Sequence, residues 1–568
     1  MNESGLCAAA PPGTAVPCDG DSCQTCGGPN IVDTFTFTCP SDCALQAPTP
    51  PPPPPPLDRL YPRIHYTPPC FYRQGGPHDI AGTLYHAPTA TWHVMGGCWS
   101  KGGWQHLTSK DMVTWTVRGA PRAFGGTGGL TIDDDGTIVA YAMTGGAIHF
   151  WSATDATGSE WVESNTTVPG CCNDPIVWKA NGTWYALTAN HGKPAADGPN
   201  YGYEGFYSSP VLLGPSADWQ MFDFPFLTNQ DSRLVPGHPQ VKEFVSPDFF
   251  TDIPGVGSPG TAAFLTSVYG DMGLVSGVPR AGIYNFAMFY VGAQVGGAGT
   301  ALHVNTNGYQ AVDWSCFSPS NVTAGGLDVA WEWGPSQYGC CPKTVGGPDA
   351  APGKPRRVMF GWQQNGGSDG NAPHGDTNEN AFTLPRDVTL SANNTIVQRF
   401  IPELQTLRIE SAHYSAITKR FPTSGAAFLP PPALGAQLEI SARIKYADGA
   451  SRFGLRVLAG PGEQTEFGFD FARSQIYIDR TRSSGGKMDV DVRAGPWFGR
   501  RAAGGEATLT AYVDHSLVAL IVDNVTALSV WVHPQRNSSV GVALFADGSG
   551  VVAAELDVWQ LNDANPGP

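Results

Sequence analysis

From Tyr61 to about Leu407, short apolar runs alternate with turns built from Gly, Asn and Asp, and no segment there has the spacing of a long amphipathic helix. Thr91-Trp92-His93-Val94-Met95, Pro175-Ile176-Val177-Trp178 and Arg357-Val358-Met359-Phe360-Gly361-Trp362 read as strands. Between such runs, Asp135-Gly136 and Asn181-Gly182 suit tight hairpins, whose central residues need positive φ. A total of 70 glycines and 50 prolines, with only 14% charged residues, fits many turns between short elements. Recurring strand–turn–strand units of this kind point to a β-propeller, with a double sandwich as the main alternative. From about Phe428 the pattern changes to alternation, as in Glu439-Ile440-Ser441-Ala442-Arg443-Ile444 and Thr508-Leu509-Thr510-Ala511-Tyr512-Val513. One buried and one wet face per strand is the mark of an antiparallel sandwich. The chain is all-β.

Before this body lie a Cys-rich segment, 1–49, and a Pro-rich linker, 50–60. Six cysteines (Cys7, Cys18, Cys23, Cys26, Cys39, Cys43) in a polar, Gly/Pro-rich stretch suggest a disulfide-stapled module. Pro50 to Pro56 is unbroken proline, a stiff polyproline II rod that reads as a spacer or a wall-anchoring stalk. The remaining chain divides into a propeller over 61–407, a joint over 408–427 and a sandwich over 428–563. The formal charge of −16, without blocks of Lys or Arg, argues against nucleic acid and anionic membranes as partners. No apolar run approaches the length needed to insert in a bilayer, and the residues from Met1 to Cys7 lack the basic and apolar regions of a signal peptide. The cysteine cluster and acceptor tripeptides at Asn2, Asn165, Asn181, Asn321, Asn393, Asn524 and Asn537 nevertheless point to an extracellular or secretory-pathway setting.

Three acidic spots stand at strand–loop edges beside Pro or Gly: Pro77-His78-Asp79-Ile80-Ala81-Gly82, Asn173-Asp174-Pro175 and Glu243-Phe244-Val245-Ser246-Pro247-Asp248. Taken singly, an Asp beside Pro or Gly usually caps a turn. A retaining glycosidase needs a carboxylate nucleophile with a protonated carboxyl about 5 Å away, and in a propeller such groups would come from the inner strands of different blades.

The order and context of these segments resemble glycoside hydrolase family 32, the invertases and fructan hydrolases. The segment around Asp79 is similar to the family's W-M-N-D-P-N-G, and Ser109-Lys110-Asp111-Met112-Val113-Thr114-Trp115 to its S-K-D-L-V-x-W. Asn173-Asp174-Pro175 stands for R-D-P, and Phe382-Thr383-Leu384-Pro385-Arg386 for x-x-I-P-R. Farther on, Asp479-Arg480-Thr481-Arg482-Ser483 and Val513-Asp514-His515-Ser516-Leu517-Val518 resemble D-R-[ST]-R-S and V-D-[HR]-S-[IL]-V-E. The match runs collinearly from about Tyr61 to Leu561. It implies a five-bladed β-propeller followed by a C-terminal β-sandwich. It implies Asp79 as the nucleophile at the anomeric carbon of fructose, Asp174 as a stabiliser that binds fructose hydroxyls, and sucrose or a fructan as substrate. Such acid–base and nucleophilic chemistry needs no cofactor and no metal.

The third motif departs from the family. Its acid/base glutamate falls at Val245, which has no proton to give. Glu243, two residues earlier on the same face of a strand, is the candidate replacement, and a surface glutamate beside Lys242 is the other reading. His78, Asn173, Asp248 and Trp104 are candidate substrate contacts; a structural histidine and a core tryptophan are the alternatives for His78 and Trp104. Two functions therefore stay open: a β-fructofuranosidase or fructosyltransferase, and a sugar-binding protein on the same scaffold without catalysis.

Overall fold

The structure is a computed structural model. It describes residues between 59 and 565, apart from 68–79, 99–102, 119–126, 170–172, 190–201, 204, 223–226, 229–240, 251–253, 255–260, 272–282, 296–300, 312–338, 349–354, 365–379, 393–394, 419–423, 448–449, 486–491, 500–503 and 549–550. The Cys-rich segment, His78 and Asp79 lie outside the described residues, as do the side chains of all thirteen cysteines.

Five antiparallel sheets follow one another along the chain, four of them of four strands and the last of four in order with a fifth short strand, Asn380–Phe382, paired beside them. Their first strands are Ile80–His86 (blade I), Gly128–Ile132 (blade II), Asn173–Ala180 (blade III), Val241–Phe250 (blade IV) and Gly339–Pro348 (blade V). Each first strand contacts that of the next blade, and blade V's contacts blade I's, so the ring closes. The five first strands therefore surround the central axis, as a propeller requires. The expected hairpin at Asn181-Gly182 is present, with φ of 48° and 80°. Gly82 is needed by packing rather than by φ, because a Cβ there would lie 2.7 Å from the backbone of Gly129 and Leu130, where blades I and II converge.

Two six-stranded sheets form the C-terminal sandwich. One runs in the order Arg408–Thr418, Val551–Leu561, Gln437–Tyr446, Gly505–Asp514, Leu517–Val522 and Thr526–Trp531. The other runs Ser424–Phe428, Gly541–Gly548, Ala450–Gly460, Glu463–Asp470, Gln475–Asp479 and Val492–Pro496. The stretch 408–427, expected as a joint, thus contributes an edge strand to each sheet. As an edge strand, Arg408–Thr418 has no fully buried residue among those whose side chains are described, so it lacks the apolar alternation of its neighbours.

Leu517–Val522 and Thr526–Trp531 are buried along their whole length, because one face meets the sandwich core and the other meets blade V. There the Arg386 guanidinium, 2% exposed, donates to Gln398 Oε1 (3.1 Å) and Ser529 Oγ (3.2 Å), and Gln363 donates to the Ser529 carbonyl. The motif segment ending in Arg386 is a docking element between the two domains.

Asp514 does comparable work at the entry to the propeller. Its buried carboxylate accepts from the backbone N–H groups of Arg63, Ile64 and His65 at 2.8–2.9 Å and from His65 Nδ1 at 2.8 Å. His515 and Ser516 hold the carbonyls of Arg59 and Leu60, so the end of the expected linker is fastened to the sandwich. The tail returns to the same place. Asn565 Nδ2 donates to the carbonyls of Ile64 (3.2 Å) and Val113 (3.0 Å), and its Oδ1 accepts from Trp115 N–H.

Candidate active site

The acidic spots singled out in the sequence all fall on or beside the first strands of blades. Asp79 directly precedes Ile80, the opening residue of blade I's first strand, and lies outside the described residues. Asn173 and Asp174 open the first strand of blade III, and Glu243, Val245 and Asp248 belong to that of blade IV. Placement on first strands puts these segments, far apart in sequence, around the central axis of the ring.

Asp174 is the described centre of this group. It is 4% exposed and sits at φ 49°, a left-handed conformation that Asp tolerates better than most residues. Two contacts hold it there. Its N–H donates to Thr127 Oγ1 (2.8 Å), just before blade II, and its Oδ2 accepts from the N–H of Ser246 (2.8 Å) in blade IV. Oδ1 is buried with no hydrogen-bond partner among the described residues. A buried acceptor left in that state costs about 1–3 kcal/mol, more for a charged group. A left-handed backbone and an unused carboxylate oxygen are the kind of strain that collects at functional sites.

The contact from Ser246 brings two motif segments together. Ser246 follows Val245, the position of the family's proton donor, and it too has positive φ, 50°. The ladder with Thr261–Asp271 is regular from Glu243 (opposite Tyr269) to Val245 (opposite Ser267), then slips between Val245 and Asp248. The irregularity turns the Ser246 N–H toward Asp174. The side chains of Asn173, Glu243 and Val245 lie outside the described residues.

The other predicted contacts fare differently. Asp248 Oδ2 accepts from Thr344 N–H (2.7 Å) and Thr344 Oγ1 (2.5 Å), which ties blade IV to blade V, and Arg357 Nη1 donates to that same hydroxyl (2.7 Å). Trp104 is 4% exposed and packs among Ala81, Leu84, Met95 and Leu130 in the layer between blades I and II. It is a core tryptophan rather than an open ring. Residues that sequence reasoning did not single out are Thr127, Ser246 and Tyr141. Tyr141 Oη accepts from Val177 N–H (3.1 Å) in blade III, and burial raises its pKa, so it stays a neutral strut. Ser246 stood within the aligned string and was the one with a signal.

Behind the first strand of blade I, His93 and His106 form a buried pair. His106 Nδ1 reaches the Gly158 carbonyl (2.9 Å), which must accept, so His106 Nε2 is an acceptor for His93 Nδ1 (2.9 Å). Burial, with the neighbouring imidazole, lowers His93 to about 3, and burial lowers His106 to about 4, so both are neutral near pH 7.

Comparisons with known proteins agree with this geometry. Residues 403–560 match the model described as glycosyl hydrolases family 32 C terminal. Levanase of Bacillus subtilis (strain 168) is 24% identical over 88% of this chain and 70% of its own length. The extracellular exo-inulinase inuE of Aspergillus ficuum is 24% identical over 88% of this chain and 94% of its own. Among solved structures, the exo-inulinase from Aspergillus awamori superposes with a TM-score of 0.64 at 19% identity, covering 89% of this chain and 98% of its own.

Proposed function

We infer that this chain, which belongs to glycoside hydrolase family 32, cleaves terminal β-fructofuranosyl bonds of sucrose or fructans with retention of configuration. The observation that carries the reading is the meeting of Asp174 with Ser246, which brings the stabiliser segment against the acid/base segment on adjacent axial strands. Levanase and exo-inulinase among the relatives name fructans as the substrate class.

In this reading Asp79 attacks the anomeric carbon of the fructosyl unit while the glycosidic C–O bond breaks, and a carboxyl proton passes to the departing oxygen. Glu243 supplies that proton. The covalent fructosyl ester then yields to water, whose proton returns to the same carboxylate, releasing fructose and restoring Asp79. Asp174 Oδ1, the buried acceptor without a partner, takes a hydrogen bond from a fructose hydroxyl and so fixes the ring. His78, Asn173 and Asp248 border the sugar. The extracellular relative and the Cys/Pro-rich segment 1–60 support a secreted protein that this segment attaches to a cell wall.

Val245 favours a second reading, a fructan-binding protein without turnover. Loss of a general acid slows such a reaction by about 10²–10⁴-fold. Fructose release from sucrose and inulin, measured for the parent and for Asp79→Asn and Glu243→Gln, separates the two. The enzyme reading predicts turnover in the parent and a loss of at least about 100-fold in each variant. Binding without turnover in the parent would establish the second reading.

A further inference from the structure

The far end of blade I carries a cleft of about 450 Å³, a volume in the range of small-ligand sites. It lies past His86, where the first strand ends, whereas Asp79 precedes that strand's first residue. The seven residues of that strand, Ile80–His86, span about 20 Å. The cleft does not belong to the axial site.

Its walls are hydroxyl-rich: Thr89 and Thr91 on one side, Thr108 and Thr116 on the strands, and Thr157 from the last hairpin of blade II. Two cations stand among them, Lys110 and Arg118. Lys110 Nζ donates to the Thr89 carbonyl and to Thr91 Oγ1 (2.7 Å), and Arg118 Nε donates to Thr108 Oγ1 (3.1 Å). All these acceptors are neutral. Among the described residues, neither cation has a carboxylate partner, and the Nη groups of Arg118 are uncommitted. In a chain of net charge −16, two cations against one carboxylate in one cleft are a local exception. The carboxylate that lines the cleft, Asp111, spends Oδ1 on Ser109 Oγ and on the N–H groups of Val113 and Thr114. No aromatic ring lines the cleft, so the sugar-stacking mode is missing there.

We propose that this cleft binds an oxyanion, a phosphate or sulfate group either free or esterified to a sugar. The Arg118 guanidinium offers a planar pair of donors that matches two oxygens of such a group. Lys110 adds a point charge with a donor to spare, and the threonine hydroxyls suit the hydroxyls of an attached sugar.

The test is calorimetric titration of full-length Asp79→Asn protein, in which turnover is removed, with fructose 6-phosphate, inorganic phosphate and fructose. Fructose 6-phosphate is expected to bind, fructose far more weakly, and added salt to weaken the former. Tighter binding of fructose 6-phosphate than of phosphate assigns an esterified ligand, and equal binding assigns the free ion; both uphold the site. Arg118→Gln and Thr116→Glu sit on an exposed outer strand, and each should weaken binding at least tenfold with an unchanged melting temperature and, in the parent background, unchanged fructose release. The proposal falls if neither anion binds, if both variants bind as the parent does, if fructose binds as well as its phosphate, or if sucrose displaces the anion.

Discussion

Replacing Asp514 by Asn keeps the shape of the residue and removes the charge that fastens the entry of the propeller to the sandwich. The parent carboxylate accepts four hydrogen bonds, three of them from consecutive backbone N–H groups. With the amide oxygen kept toward Ile64 and His65, three bonds drop from charged to neutral acceptors at about 1 kcal/mol each, and the NH₂ group faces the Arg63 N–H. Leaving that donor without an acceptor adds about 1–3 kcal/mol, so the variant should lose about 4–6 kcal/mol. That is a large share of a stability of about 5–15 kcal/mol. The pH dependence follows the same contact. Desolvation pushes Asp514 upward, but the His65 hydrogen bond and charge, with the Arg63 N–H, outweigh it and leave the carboxyl below its ordinary value. Its contribution is therefore complete above the unfolded carboxylate pKa of about 4 and is lost as pH falls through the lower folded value. Urea unfolding at neutral and acid pH, with hydrogen exchange over Arg63–His65, measures both effects. A loss below about 1 kcal/mol, with those amides as protected as in the parent, would refute the clasp.

Two further outcomes follow from packing and titration. Gly82→Ala places a Cβ 2.7 Å from the Gly129 backbone, so blades I and II must part; we expect a loss of about 3 kcal/mol and reduced turnover, read by denaturation and fructose release. The neutral His93–His106 pair should make stability fall with acid from about pH 6.5, the unfolded value, down toward the folded values of about 4 and about 3, at up to about 1.4 kcal/mol per pH unit for each ring. His106→Gln should flatten that slope in a plot of melting temperature against pH.

Much of the architecture was legible because local chemistry carries it. Asn181-Gly182 and Asp135-Gly136 announce hairpins through their backbone preferences, and alternation in Glu439–Ile444 announces a two-faced sheet. Motif order extended that to the axial placement of Asp174 and of the Glu243–Asp248 segment. The sandwich edge strands at 408–427 were not legible, since an edge strand without buried residues reads as a connection. Neither was the partner of Asp174: Ser246 is 72 residues away, and only the packing of blade III's first strand against blade IV's brings it near. Trp104 shows the same limit from the other side, because a tryptophan for stacking on sugar and one for filling a core look alike until burial is known.

The tail residue Asn565 is bonded to the Ile64 carbonyl across 501 positions of sequence. A ribosome therefore releases the start of blade I long before the residue that secures it exists. Until Asn565 has been made, the opening segment and the outer turn of that blade must wait without their lock, and contacts so distant along the chain are the slowest to form. Nascent chains should thus acquire protease resistance late and at once, and Asn565→Ala should loosen the very beginning of the propeller.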